Sequence, residues 1–166
     1  MSERAVGSLV VNSLKPGKRL FMFATGTGIA PFASIMRDPA TYERFDEVYL
    51  THTCRLVAEL AYGKELAEGL IDDPLCGEQA ATQFRHYTSV TRDDYPFQGR
   101  ITTLIESGKL FTDMGIPSLD PDTDRAMICG SIEMNKDMKT LLEARGFEEG
   151  AAKRPGQYVI ERAFVG

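Results

Sequence analysis

An apolar run that ends in Thr-Gly-Thr-Gly at residues 25–28 constrains the fold of this chain most. Residues 19–24 have the apolar character of a buried strand, and Pro31 favours the first turn of a helix because its fixed φ suits that position. Glycines between a strand and a helix let another group approach the backbone. The Gly-x-Gly-x-x-Gly pattern of dinucleotide-binding turns is incomplete here, since Pro31 takes its last position. A phosphate-binding turn and a purely structural turn both remain open.

Apolar strands that alternate with amphipathic segments predict an α/β fold with a doubly wound, mainly parallel five-stranded sheet. The predicted strands are residues 19–24, 47–54, 84–90, 125–130 and 157–164. The predicted helices are residues 31–36, 57–70, a segment that follows Gly99 and stops at Gly108, and 131–145, with a further helical turn near residues 42–46. Residues 72–78 and 115–124 are predicted loops.

Composition narrows the functional classes. The 166 residues suit one domain with a substantial core, and the formal net charge of −5 argues against non-specific nucleic-acid binding. Residues 20–36 are apolar, but their central glycines and proline indicate strand, turn and helix, so no membrane span is expected.

Three widely spaced cysteines predict no disulfide framework and fit a cytoplasmic setting. His52 and Cys54 lack a second pair of ligands, so they are interpreted as strand-end residues and no metal is expected.

Arginines follow the predicted second and third strands and occupy the next loop. In this fold ligands bind outside the carboxyl ends of the strands, and an arginine after the second strand accommodates the 2′-phosphate of NADP. Arg55, Arg92 and Arg100 are therefore predicted to lie near one edge of the sheet, where planar guanidinium groups hold phosphate well. A solvated arginine at a helix start remains the alternative for Arg55. Asp93 and Asp94 follow Arg92 directly and are expected to occupy it in part, which would weaken phosphate binding.

With these motifs assembled, the chain resembles the C-terminal, NADP-binding domain of bacterial ferredoxin/flavodoxin–NADP(H) reductases. The resemblance rests on residues 25–32, 37–45, 51–55, 59–62, 91–92, 99–101, 129–131 and 154–165, in that order. It implies a Rossmann-like domain of a flavoprotein oxidoreductase. Hydride would pass between NADPH and FAD, and single electrons would go to ferredoxin or flavodoxin.

The resemblance also implies roles for individual residues. The implied cofactor-binding residues are Thr25, Gly26, Thr27, Gly28, Arg55, Arg92, Arg100, Cys129, Gly130 and Ser131. The first four would lie beside the pyrophosphate and nicotinamide. Arg55 and Arg100 would hold the 2′-phosphate, with Arg92 assisting. Cys129 would border the nicotinamide, and Ala163 and Phe164 in the terminal tail would pack against flavin, so these three are the residues closest to hydride transfer. No general acid or base is implied.

The expected domain organisation is a remnant of the end of a flavin-binding barrel at residues 1–14 and an NADP(H)-binding domain at residues 15–166. The barrel is expected to be largely absent, so FAD would need a flavin-binding domain in cis or in trans. An isolated NADP(H)-binding module without turnover is the alternative. An NAD-linked oxygenase reductase would predict an acidic or neutral residue in place of Arg55 and an iron–sulfur cysteine cluster. Lys15, Lys18 and Arg19 are candidates for docking an acidic ferredoxin.

Overall fold

The computed structural model describes residues 13–151 and 153–160. Its strands are β1 (Arg19–Thr25), β2 (Glu47–Cys54), β3 (Phe84–Val90), β4 (Asp124–Cys129) and β5 (Tyr158–Ile160). They form one sheet in the order β3-β2-β1-β4-β5, and every neighbouring pair is parallel. The predicted doubly wound α/β fold is therefore confirmed.

Short helices connect the strands. The α-helices are α1 (Phe32–Met36), α2 (Pro39–Arg44), α3 (Ala61–Gly69), α4 (Gly77–Gln83), α5 (Ile101–Glu106), α6 (Lys109–Met114) and α7 (Ile132–Ala144), with 3-10 turns at Gly26–Ile29, Val57–Leu60 and Leu70–Asp72. Within the described ranges no helix is long and apolar enough to cross a bilayer.

Alternating side chains of β1 build a separate core on each face of the sheet. Phe21 and Phe23 point into a core completed by α5, α6 and α7, and Leu20 and Met22 point into a core completed by α1, α2 and α4. All four side chains are fully buried, as a central strand covered on both faces requires. Both faces of the sheet are thereby covered by helices.

A buried ion pair closes the amino end of the sheet. The Arg19 guanidinium donates to both carboxylate oxygens of Asp124, at 2.7 Å and 2.5 Å, and to the carbonyls of Pro117 and Ser118. Arg19 is only 8% exposed, so its assignment to a ferredoxin-docking surface is wrong. The ion pair of Arg19 with Asp124 joins the first residues of β1 and β4.

Two helix predictions need correction. Residues 72–78 are not all loop, because α4 begins at Gly77, where a Cβ would overlap the Ile71 carbonyl oxygen. Gly108 does stop α5 with φ +81, but α6 begins directly after it. Ser131 caps α7 as predicted, since its Oγ accepts from the Met134 amide at 3.1 Å.

Some predictions fall outside the described residues. The barrel remnant lies almost wholly there, and so do Ala163 and Phe164. Of the predicted last strand, residues 158–160 are described, and they pair with β4. The domain boundary at residue 15 stays a prediction.

Candidate functional site

The chain changes direction across the sheet between β1 and β4. From β1 it proceeds outward to β2 and β3, then returns to the other side of β1 for β4 and β5. Connections from neighbouring strands that leave in opposite directions open a crevice at the carboxyl ends of those strands. The crevice therefore lies where Thr25 ends β1 and Cys129 ends β4.

Two glycines bring the ends of β1 and β4 into close contact. A Cβ on Gly28 would overlap the Cys129 carbonyl oxygen and lie 2.7 Å from the carbonyl carbon. A Cβ on Gly130 would overlap the Thr25 hydroxyl and lie 2.6 Å from the Met134 methyl group. Glycine is therefore required at both positions so that the residues after β1 can pack against the end of β4.

Residues 25–29 are called the glycine loop; they comprise Thr25, the last residue of β1, and the 3-10 turn Gly26–Ile29 that follows it. Gly26 has φ +52, a left-handed conformation that favours glycine. The Thr25 hydroxyl accepts a hydrogen bond from the Ser131 amide at 3.3 Å, which links this loop to the start of α7. The backbones of Gly28, Gly130 and Ser131 are thus assembled at one end of the sheet.

His52 lies beneath the glycine loop. Its Nε2 is 2.8 Å from the Gly26 carbonyl oxygen and 3.3 Å from the Cys54 sulfur. Burial lowers the pKa of His52, against a smaller raising effect of the bond to Gly26. Burial likewise raises the pKa of the Cys54 thiol to about 11. Both side chains therefore stay uncharged near neutral pH.

The predicted arginine cluster is brought together by backbone hydrogen bonds. The Arg92 amide donates to the Arg55 carbonyl at 2.9 Å, directly beyond the paired ends of β2 and β3. Gln98 pairs with Val90 in an isolated parallel β-bridge, and the Gly99 amide donates to the Val90 carbonyl at 3.0 Å. These contacts bring Arg100 back to the end of β3. The three side chains are exposed, and within the described part of the chain none forms an ion pair.

Nearby carboxylates are engaged by the backbone. Glu59 Oε1 accepts from the amides of Arg55 and Leu56 at 3.1 Å and 3.0 Å. Asp93 Oδ2 accepts from the Val57 amide at 2.8 Å, and among the described residues neither Asp93 nor Asp94 forms an ion pair with Arg92, contrary to expectation. The guanidinium groups therefore remain available to an anion.

The residues fit a phosphorylated dinucleotide. Guanidinium groups that form no ion pair with other described residues lie beyond the ends of β2 and β3 and suit a phosphate. The carboxyl ends of β1 and β4 are where ligands bind in a sheet of this topology. The described residues bring no three His, Cys, Asp or Glu side chains together as a metal site. The contact between His52 and the glycine loop was missed by sequence reasoning, which treated His52 only as a strand-end residue.

Comparisons with known proteins identify the family of this chain. Residues 22–140 match the model of the oxidoreductase NAD-binding domain family. The chain is 52% identical to the flavodoxin/ferredoxin–NADP reductase of Rhodobacter capsulatus, covering 98% of this chain and 60% of that protein. It is also 52% identical to ferredoxin–NADP reductase A of Sorangium cellulosum, covering 100% of this chain and 60% of the relative.

A solved structure supports the same comparison. The ferredoxin NADP⁺ reductase from Neisseria gonorrhoeae, crystallised with bound FAD and NADP, is 32% identical and superimposes with a TM-score of 0.80. The match covers 94% of this chain and 60% of that one. The chain thus spans about 60% of the length of the curated relatives that it matches.

Proposed function

Because this chain belongs to the oxidoreductase NAD-binding domain family, we propose that it is the NADP(H)-binding part of a flavin-dependent ferredoxin/flavodoxin–NADP(H) reductase. The observation that carries the proposal is the cluster of Arg55, Arg92 and Arg100 beyond the ends of β2 and β3. The names of the relatives, which include both ferredoxin and flavodoxin, support the same function.

The arginine cluster selects the dinucleotide. Three guanidinium groups without an ion pair in the described structure offer planar donors to the 2′-phosphate that distinguishes NADP from NAD. Hydrogen bonds to a charged group contribute about 1.5–3 kcal/mol each, so a strong preference for NADP(H) follows.

The crevice between β1 and β4 orients the reacting end of the dinucleotide. Thr25, Cys129 and Ser131 lie at the adjoining ends of β1 and β4, and the close packing at Gly28 and Gly130 holds these ends together. Bound NADPH supplies a hydride for FAD, which a flavin-binding domain in cis or in trans would hold. This chain contributes the position of the dinucleotide, and the reaction requires no proton transfer by its side chains. Ala163 and Phe164 are proposed to border the flavin.

The proposal includes single-electron transfer to ferredoxin or flavodoxin in a reducing cytoplasm. The three cysteines are free thiols, as such a compartment favours. Lys15 and Lys18 remain exposed candidates for docking an acidic partner, without the buried Arg19.

Calorimetric titration of the chain with NADP⁺ and with NAD⁺ tests the proposal. We expect NADP⁺ to bind at least about tenfold more tightly, a difference of about 1.4 kcal/mol. Equal affinity for both dinucleotides, or binding of neither, would contradict the assigned phosphate site. NADPH-driven reduction of an artificial acceptor after addition of a flavin-loaded domain then separates a reductase from a binding module without turnover.

A further inference from the structure

We propose that His52 is a positioning residue that holds the glycine loop in the conformation required by the dinucleotide pyrophosphate. The role of the pyrophosphate rests on the proposed function. The hold of His52 on the loop is a property of the chain without ligand, and it is measurable separately.

The hydrogen bond between His52 and Gly26 has only one possible direction. A carbonyl oxygen accepts and never donates, so at 2.8 Å the ring must carry its hydrogen on Nε2. In the neutral ring Nδ1 is then an acceptor. Nδ1 is buried and has no hydrogen-bond partner among residues 13–151 and 153–160. An apolar side chain would avoid this unsatisfied atom, so the gain from an imidazole at this position lies in its Nε2–H donor.

The surroundings leave the ring a single position. His52 is 1% exposed, and α3 crosses directly over it. A Cβ on Gly63 would lie 2.7 Å from His52 Nδ1 and 2.6 Å from the Ile29 Cδ1 atom, so the absence of a side chain at Gly63 lets helix, ring and loop pack together. Ile29 ends the same loop whose Gly26 carbonyl the ring binds. His52 therefore contacts the glycine loop through a hydrogen bond at one end and lies beside its other end.

The neighbouring thiol leaves this bond intact. The Cys54 sulfur is 3.3 Å from Nε2, and its S–H donates to the Glu59 carbonyl at 3.6 Å. The Gly26 carbonyl consequently has His52 as its side-chain donor. Fixing this peptide in advance reduces the conformational entropy that the loop would lose when a ligand binds.

Two variants of His52 separate positioning from folding. His52→Leu keeps the strand apolar and removes the donor, and His52→Gln returns an N–H near the position of Nε2. The ligands are NADP⁺, which reaches the glycine loop, and adenosine 2′-monophosphate, which reaches only the arginine cluster. We expect His52→Leu to weaken NADP⁺ binding about two- to tenfold, the loss of one hydrogen bond, with adenosine 2′-monophosphate unchanged. His52→Gln should restore most of the NADP⁺ affinity.

A matched control and a readout without ligand complete the test. His86→Leu removes a partly buried histidine of the adjacent strand, for which the structure shows no bond to the loop, and should leave NADP⁺ affinity unchanged. In the ligand-free protein, amide NMR shifts and hydrogen exchange at Thr27 and Gly28 should change in His52→Leu and return towards wild type in His52→Gln.

The outcomes are distinct. Unchanged amide signals in His52→Leu, or equal weakening of both ligands together with a loss of folding stability, would overturn the positioning role. Failure of His52→Gln to restore the signals would overturn the Nε2–H assignment. If the wild-type chain binds neither NADP⁺ nor adenosine 2′-monophosphate, the proposed function fails, and the amide signals still decide whether His52 holds the loop.

Discussion

The Arg92 amide donates to the Arg55 carbonyl over 2.9 Å, which ties together the residues that follow two neighbouring strands. The positions of these arginines are therefore fixed by main-chain atoms. Their guanidinium groups have no ion-pair partner in the part of the chain that the structure describes, so they are available to bind phosphate.

Replacing Arg55 or Arg100 should remove the preference for NADP⁺. We expect Arg55→Ala and Arg100→Ala each to weaken NADP⁺ binding about tenfold or more, because each removes a charged donor to phosphate worth about 1.5–3 kcal/mol. NAD⁺ affinity should stay the same. Calorimetric titration of both dinucleotides measures the difference.

The matched control is Arg37→Ala, which removes an exposed arginine at the far end of α1 from the glycine loop. It should bind NADP⁺ as the wild type does. A similar loss in Arg37→Ala would mean that net charge, and not the arginine cluster, sets the affinity.

Gly28→Ala should destabilise the fold. The added methyl group would overlap the Cys129 carbonyl, and relief of such overpacking costs about 1–3 kcal/mol. Gly69→Ala is the matched control, since nothing lies within 4 Å of its Cβ position and its φ of −73° is helical. It should stabilise the protein by about 0.4–1 kcal/mol. Urea unfolding of both variants checks the opposite signs, and a Gly28→Ala protein as stable as wild type would refute the close approach.

The buried ion pair should dominate stability at the amino end of the sheet. Asp124→Asn leaves the Arg19 charge buried without its counterion, and breaking such a pair costs about 3–5 kcal/mol. Lys109→Ala disrupts the exposed pair with Asp113, at 3.0 Å, and should cost at most about 1 kcal/mol. Chemical denaturation at neutral pH compares them. Equal losses of unfolding free energy in the two variants would show that burial does not make the Arg19–Asp124 pair more important than the exposed one.

Two histidines should make the protein sensitive to mild acid. Burial lowers the pKa of His86 to about 4, with His52 and Lys64 acting in the same direction, and burial also lowers the pKa of His52. Below the unfolded pKa of about 6.5 the unfolded chain takes up protons that the folded chain does not. Stability is then lost as pH falls from about 6.5 towards about 4, by at most about 1.4 kcal/mol per pH unit for each histidine.

Urea unfolding at pH 7 and pH 5 measures this loss. His86→Leu should reduce the pH dependence, since its contribution disappears while that of His52 remains. A variant with the same slope as wild type would assign the acid sensitivity to other groups.

The fold was largely predictable because its signals are local. β2 and β3 were predicted with the bounds that the structure has, since aromatic and β-branched residues, which favour strands, recur in both. Helix α4 was missed because Ala80 is its main apolar residue and Gly77 opens it, which is unusual for a helix. The reason for that glycine is its contact with the Ile71 carbonyl, a tertiary contact that composition does not reveal.

The candidate site was predictable in part. The arginine cluster followed from the rule that strand ends share one edge of a parallel sheet. Arg19 was misassigned because a charged residue at the start of a strand has the same appearance whether it faces solvent or a buried carboxylate. His52 and Gly26 lie 26 residues apart in the sequence, and their contact depends on the pairing of β1 with β2.

The hydrogen bond between the Arg92 amide and the Arg55 carbonyl involves only main-chain atoms, so the turn does not depend on the side chains that are proposed to select the cofactor. Because the turn is kept by peptide groups, the side chains there are free to vary without disturbing the strands beneath them. We therefore expect a few substitutions at these exposed positions to change the dinucleotide preference without unfolding the chain. The glycines between β1 and β4 have no such freedom, so drift at that crevice is constrained by the packing of the sheet itself.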